Sequence, residues 1–227
     1  MAELVITIDG PAASGKSTVA RLVAQKLGAS FLDTGAMYRA MTLAAIKAGV
    51  DMNDEKKLLG VMKRSKFQFS VKDGKMTVRV DGTDVTEQIR SPGVTAKARY
   101  IASAAKVREK LVRMQRQFAA SEKKIVTEGR DQGTVAFGDA DIKFYLTACL
   151  AERARRRQVE LRAQGSNESL EEIQKAIEQR DKSDEDRAVG PLKPADDAII
   201  IDTTSLNIEE VVEKVLGFVE EKCSKKK

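Results

Sequence analysis

Not one histidine occurs in the 227 residues. That removes the commonest general base, any serine–histidine nucleophile and most zinc sites, so the chemistry must run on carboxylates, lysine, arginine and metal. The two cysteines, Cys149 and Cys223, are far apart and lack metal-ligand spacing, which suggests free thiols in a reducing compartment, the cytoplasm by default. No apolar run is long enough to span a bilayer, and Met1-Ala2-Glu3 leads straight into a candidate strand with no signal-peptide pattern, so no membrane partner is expected. Aromatic residues make up only 4% of the chain and no RNA-binding motif occurs, so a nucleic-acid partner is not expected either. Arginines gathered for a small polyanionic substrate account for the net charge of +6 equally well. Internal repeats and low-complexity linkers are also missing. Hydrophobic content of 42% with 33% charged residues is ordinary for a chain able to bury a full core, as one domain with an insertion or as two small ones.

What is present begins at once. Leu4-Val5-Ile6-Thr7-Ile8-Asp9 reads as a buried parallel strand, and Gly10-Pro11-Ala12-Ala13-Ser14-Gly15-Lys16-Ser17-Thr18 matches G-x-x-x-x-G-K-[ST] in the strand-to-helix context that pattern requires. The spacing has a chemical reason. Gly10 and Gly15 let the backbone curl so that successive N–H groups face the phosphates of a nucleoside triphosphate, and the helix that follows adds the positive end of its dipole. Lys16 would place a mobile charge on the β- and γ-phosphates, and the Ser17 hydroxyl would ligate Mg²⁺.

A helix over Ser17–Leu27 closes at Gly28 and a strand at 30–32 follows. It runs into Asp33-Thr34-Gly35-Ala36-Met37-Tyr38-Arg39 and a helix expected from Tyr38 to Lys47. Threonine, tyrosine and arginine beyond the carboxyl end of a strand are candidates for a second ligand, or else a helix cap at Thr34 beside a solvated arginine. Alternation in Phe67–Val71 and Met76–Val80, with turns at Asp73-Gly74 and Asp81-Gly82, predicts a small antiparallel meander that either grips substrate or decorates the surface. Val94–Ala120 reads as helix, broken near Ser103. The strand Lys124–Thr127 then delivers Glu128-Gly129-Arg130-Asp131 beside the phosphate loop, where Glu128 or Asp131 could hold hydrated Mg²⁺ or form a structural ion pair. After a strand at 142–146 come two helices, Ala151–Arg162 and one capped by Ser169 that runs to about Gln179. This arginine-studded hairpin could close over triphosphate or stand as an exposed charged face. A last strand at 198–202, a closing helix Ile208–Val219 and a frayed tail Ser224–Lys227 complete the chain.

In order, the most specific pieces are Ile8-Asp9-Gly10-Pro11 with its loop, Leu32 through Arg39, Val107-Arg108-Glu109, Gly129 through Val135, and Arg180-Asp181 through Arg187-Ala188-Val189. Together they resemble the bacterial cytidylate kinases, phosphate-loop nucleoside monophosphate kinases that move phosphate from ATP to CMP or dCMP, and the resemblance runs from Val5 to about Val219. It implies an α/β fold: a parallel sheet flanked by helices, with a small antiparallel β insert and a short helical lid. The implied organisation is a single domain over 1–227, with core at 1–60, 90–150 and 188–227, a monophosphate-binding insert at 61–89 and a lid at 151–187. ATP would lie on Gly10 to Thr18, with Mg²⁺ on Ser17 assisted through water by Glu128 or Asp131. Thr34, Arg39 and Arg130 sit where the family grips the CMP phosphate, Tyr38 belongs to the same nucleotide site, and Arg108 and Asp131 match positions near cytosine. Arg180 and Asp184 match pentose contacts, and Arg187 a nucleotide contact. Lys16, Arg130, Arg153 and Arg157 would carry catalysis, the last two from the lid.

Three positions depart from the family pattern. Arg99 stands where a cytosine-contacting serine is usual, with Ser103 the neighbour able to take that role. Ala105 replaces a proline, and Phe137-Gly138-Asp139 replaces Phe-Pro-Asp. The expected protein is a monomer acting on small molecules. The rival readings are another small-acceptor kinase (UMP, AMP or shikimate), a nucleotide switch, against which the missing Asn-Lys-x-Asp signature counts, and least of all a nucleic-acid-binding module.

Overall fold

Leu4–Asp9 (β1), Ser30–Asp33 (β2), Lys124–Gly129 (β6), Ile142–Thr147 (β7) and Ile199–Asp202 (β8) form one sheet in the order β2-β6-β1-β7-β8, every pairing parallel. The computed structural model describes residues 2–72, 74–163 and 165–224. Asp73 of the expected turn and 225–227 of the expected tail lie outside the described residues. Because β6 and β7 flank β1, the connections leave it on opposite sides and open a crevice at its carboxyl end. The phosphate loop lies there.

Two apolar clusters cover the sheet. On one, Ile6, Ile8, Phe144 and Ile201 pack with Val19 and Val23 of Lys16–Leu27 (α1) and Val211 and Val215 of Ile208–Ser224 (α8). Burying each such side chain contributes roughly 1.5–3 kcal/mol. The other gathers Thr34–Lys47 (α2), Glu55–Arg64 (α3), Pro92–Ser103 (α4) and Ala105–Ala120 (α5) around Leu32, Met41, Ile101 and Leu111. The antiparallel insert Phe67–Lys72 (β3), Lys75–Val80 (β4) and Thr83–Asp84 (β5) joins this second cluster through Met76, Val78 and Val80. Its alternating residues thus continue the main core.

Leu150–Ala163 (α6) and Leu170–Glu185 (α7) share a much smaller core, Ala154, Ile173 and Ile177 with Ala12 of the phosphate loop. So little apolar burial suits a pair of helices that opens at low cost. A capping box, with the Ser169 side chain accepting from the Glu172 N–H, starts α7 as its sequence predicts.

Several expected boundaries move. α2 begins at Thr34, because the Asp33 carboxylate, not Thr34, caps it by accepting the Ala36 N–H at 2.8 Å. α7 continues past Gln179 to Glu185, since Asp181 and Asp184 face inward and find arginine partners; that stretch is helix rather than loop. α8 runs to Ser224, and β6 carries on through Glu128 and Gly129. α5 lacks a proline at its start, yet its Lys106 N–H is accepted by Glu55 Oε1 of α3 at 2.7 Å, so the orphan donor is satisfied from another helix.

Candidate active site

Gly10 has to be glycine. Its φ is +154°, and an added methyl would run into the Leu146 carbonyl oxygen of β7. From there the loop folds over Lys16, whose Nζ donates to the Pro11 carbonyl at 2.9 Å. Burial, reinforced by the nearby Arg130, lowers the Lys16 pKa from 10.5 to about 7, with Glu128 opposing the shift. An incoming polyanion would restore the charge, since an adjacent opposite charge favours the ionised form. Ser17 donates to Glu128 Oε1 at 3.0 Å. A hydroxyl and a carboxylate are hard oxygen donors, the kind hydrated Mg²⁺ takes, so this pair fits the ion the motif implies. Asp131, the other acid considered, pairs instead with Arg108.

Around Lys16 the arginines assemble in two groups. Arg130, at the end of β6, donates through Nε to Asp184 Oδ2 at 2.7 Å, and Arg187 pairs with the other oxygen of the same carboxylate. Burial pushes the Asp184 carboxyl up, but Arg130 and Arg187 outweigh it and hold its pKa below the usual range. Arg180 as a whole is exposed, but its guanidinium is partly screened from water. That loss of water, together with Arg130, Arg39 and Arg157, brings its pKa down to about 10. Such mutual repulsion among fixed cations marks a place built for several negative charges.

The second group is the buried pair Arg108–Asp131, with side chains only 3% and 5% exposed. Arg108 also donates to the Ala102 carbonyl and lies 5.5 Å from the centre of the Tyr38 ring. Burial raises the Asp131 pKa against the opposing pull of Arg108 and Arg187. Burial likewise pushes the Tyr38 phenol up to about 12, so it keeps its proton. Gly190 closes the pair from above: an added methyl there would overlap both Arg108 and Asp131. An arginine donor, a carboxylate acceptor and an aromatic face form a surface suited to the polar edge and flat ring of a nucleobase.

The structure brings together Lys16, Ser17, Thr34, Tyr38, Arg39, Arg108, Arg130, Asp131, Arg180, Asp184 and Arg187 at the carboxyl ends of β1, β2 and β6. Thr34 is buried and donates to the Glu128 carbonyl at 2.7 Å. The two expected lid cations separate. Arg153 pairs with Asp181 and donates to the carbonyls of Ala148 and Ala12, while Asp181 accepts the Ala12 N–H at 3.1 Å. Arg153 is therefore a strut between the α6–α7 pair and the phosphate loop. Arg157, on the same helix, is partly exposed and pairs with Glu160 at 3.0 Å. Arg99 is exposed, lies 5.1 Å from the Tyr100 ring centre and donates to its hydroxyl. Ser103, the neighbour considered for the missing serine's role, is exposed and lines a cavity with Met52, Glu55 and Tyr100.

Asp181 and Asp9, which stand in sequence motifs without an assigned role, hold the frame of the site. Asp9 Oδ1 accepts the Gln132 N–H at 2.9 Å and Oδ2 the Gly133 N–H at 2.7 Å, fixing the π-turn Gln132–Ala136 that follows Arg130-Asp131. Burial nonetheless raises its pKa to about 7. The rule that singled out Glu128, an acid ending a buried strand, would have found Asp9. Nothing in the spacing points to Asp181.

A family model described as cytidylate kinase matches residues 6–221. Curated cytidylate kinases of Bacillus thuringiensis (strain Al Hakam) and Bacillus anthracis (strain A0248) are each 47% identical to the chain over 214 residues, covering 94% of it and 95% of the relative. Among solved structures, a gluconokinase from Sinorhizobium meliloti 1021 aligns with TM-score 0.48 at 14% identity, over 95% of this chain and 90% of that one. That likeness is too distant to inform the chemistry.

Proposed function

The chain belongs to the cytidylate kinase family, and from that premise we propose that it transfers the γ-phosphoryl group of ATP to CMP or dCMP, giving ADP and CDP or dCDP. The observation that carries this reading is the placement of Arg108–Asp131 and Tyr38 next to the arginines that continue from Lys16 through Arg130 and Arg180. A pyrimidine at the first and its phosphate at the second would face a triphosphate on Gly10–Thr18.

The acceptor is a phosphate oxygen that is already anionic, so no general base is needed; a chain without histidine loses nothing. A bond forms between that oxygen and the γ-phosphorus as the bond from γ-phosphorus to the bridging oxygen breaks, and ADP takes the electron pair. Catalysis is then alignment and charge neutralisation. Lys16 and Arg130 face the transferred group, Arg39 and Arg180 hold the acceptor phosphate and pentose, and Asp184 keeps Arg130 and Arg187 in place. Arg157, close enough to Arg180 to help lower its pKa, is the lid cation we assign to the phosphates; Arg153 serves by fixing the lid. Ser17 and Glu128 would hold Mg²⁺, which when bound screens the triphosphate charge. The insert at 61–89 and the lid at 151–187 would close on the monophosphate and the triphosphate respectively.

No helix among the described residues is long and apolar enough to cross a membrane. The exposed thiols of Cys149 and Cys223 suit a reducing cytoplasm, and we read the protein as a monomer there. An ATP assay with CMP, dCMP, UMP and AMP side by side tests the assignment. CMP and dCMP are expected to support turnover at least about tenfold better than UMP or AMP, because the Asp131 acceptor beside the Arg108 donor matches cytosine's 4-amino group and unprotonated N3, where uracil presents a carbonyl at C4 and an N–H at N3, and because a purine is larger than the pyrimidine this pair is read to face. Preference for AMP would reject it.

A further inference from the structure

Asp33 carries more partners than a helix cap requires. Besides accepting the Ala36 N–H, it receives Arg39 at 3.1 Å and Arg90 at 3.4 Å, both on Oδ2. The two arginines differ. The Arg39 side chain is 17% exposed and its Nε is buried without a hydrogen-bond partner; the Arg90 side chain is 52% exposed. Arg90 ends the 3₁₀ turn Gln88–Arg90, the strap that joins the β insert to α4. Beside it lies a cavity of about 260 Å³ lined by Arg21, Asp33, Lys75, Thr86, Glu87 and Arg90, so Arg90 has room to move along Asp33 without displacing packed side chains.

We propose that Arg90 is a positioning residue for the acceptor nucleotide: it acts as the standing counter-ion of Asp33 and so frees Arg39 to turn to the substrate phosphate. The proposal rests on reading Arg39 as a phosphate ligand. Arg39 Nη2 reaches both oxygens of Asp33, at 3.3 and 3.1 Å, so a phosphate that takes this nitrogen must draw it from a carboxylate whose side chain is only 7% exposed. A buried carboxylate left without a cation is strongly disfavoured, so with Arg39 as sole partner Asp33 would compete with the substrate for it. Arg90, already on the same oxygen, neutralises Asp33 when Arg39 departs and repels Arg39 while it stays. Both effects weaken the competing pair, and the unpartnered Nε leaves Arg39 with a donor still to satisfy. The consequence falls on affinity for the monophosphate, not on ATP or the transfer step.

Arg90→Gln is expected to raise both the Kd and the KM for CMP about three- to tenfold, the scale of one half-exposed charge contact, with kcat and the ATP KM within about twofold. Arg90→Lys should restore most of the loss. Introduced into Arg39→Ala, the same Arg90→Gln change should shift the CMP KM by less than about twofold, because no guanidinium remains to be released. A CMP KM unaffected by Arg90→Gln, an equal shift in both backgrounds, or CMP and ATP constants moving together would overturn the proposal. Should Arg39→Ala alone leave the CMP KM unchanged, the reading of Arg39 as phosphate ligand falls and takes the proposal with it.

Discussion

Lys16→Ala should lower kcat by about a thousandfold or more while leaving the melting temperature unchanged or slightly raised. The activity loss follows from removing a preorganised cation in a water-excluded site, where one such donor typically accounts for a factor of about 10²–10³ and a full charge for more. The stability result follows from the same burial. Lys16 makes one hydrogen bond, to the Pro11 carbonyl, and its surroundings already depress its pKa to about 7. Deleting it therefore removes a desolvated cation that the folded protein holds at a cost. Steady-state kinetics beside a thermal melt separates the two effects. A mutant as active as the parent would show that the loop does not hold the transferred phosphate, and a mutant that fails to fold would show Lys16 to be structural.

Asp131→Ala should be the most destabilising change at the site. It leaves the Arg108 guanidinium, 3% exposed, without its ion partner, and breaking a buried pair from one side costs roughly 3–5 kcal/mol. Gly190 packs directly over the pair, so there is little room for water to replace the lost carboxylate. Asp131→Asn keeps an acceptor oxygen and should cost less, which makes it the variant for kinetics. It should raise the KM for CMP and narrow the preference over UMP, since an amide can turn either a donor or an acceptor toward the base. Denaturant unfolding of both variants checks the first part, and the CMP-to-UMP ratio of kcat/KM checks the second. Loss of less than about 1 kcal/mol in Asp131→Ala would mean that the pair is solvated in the folded protein.

The parts of this architecture readable from sequence are those whose cause is local. A strand, two glycines, a lysine and a serine dictate a phosphate loop because backbone geometry and charge placement are settled within a dozen residues. Glu128 is legible for the same reason, since it ends a buried strand paired with β1, and its contact with Ser17 joins that strand to the start of α1. What escaped reading depends on pairs far apart in the chain. Asp181 reaches back over 169 residues to the Ala12 N–H, and only the folded lid reveals that Arg153 is spent on that joint. The end of α7 is not legible because Arg180-Asp181-Lys182-Ser183-Asp184 has the composition of a polar loop, and only in the fold do its acids face Arg153, Arg130 and Arg187. Similarly, alternation showed that the insert forms strands, whereas its merger with the α2–α5 core rests on Met76, Val78 and Val80 meeting helices distant in sequence.

The most direct measurement follows one phosphorus atom. With magnesium, purified protein and ATP labelled in the γ-phosphate, addition of CMP should move the label into the β-phosphate of CDP, stoichiometric with ADP and without release of inorganic phosphate. Label appearing as inorganic phosphate, with CMP unchanged, would contradict the account.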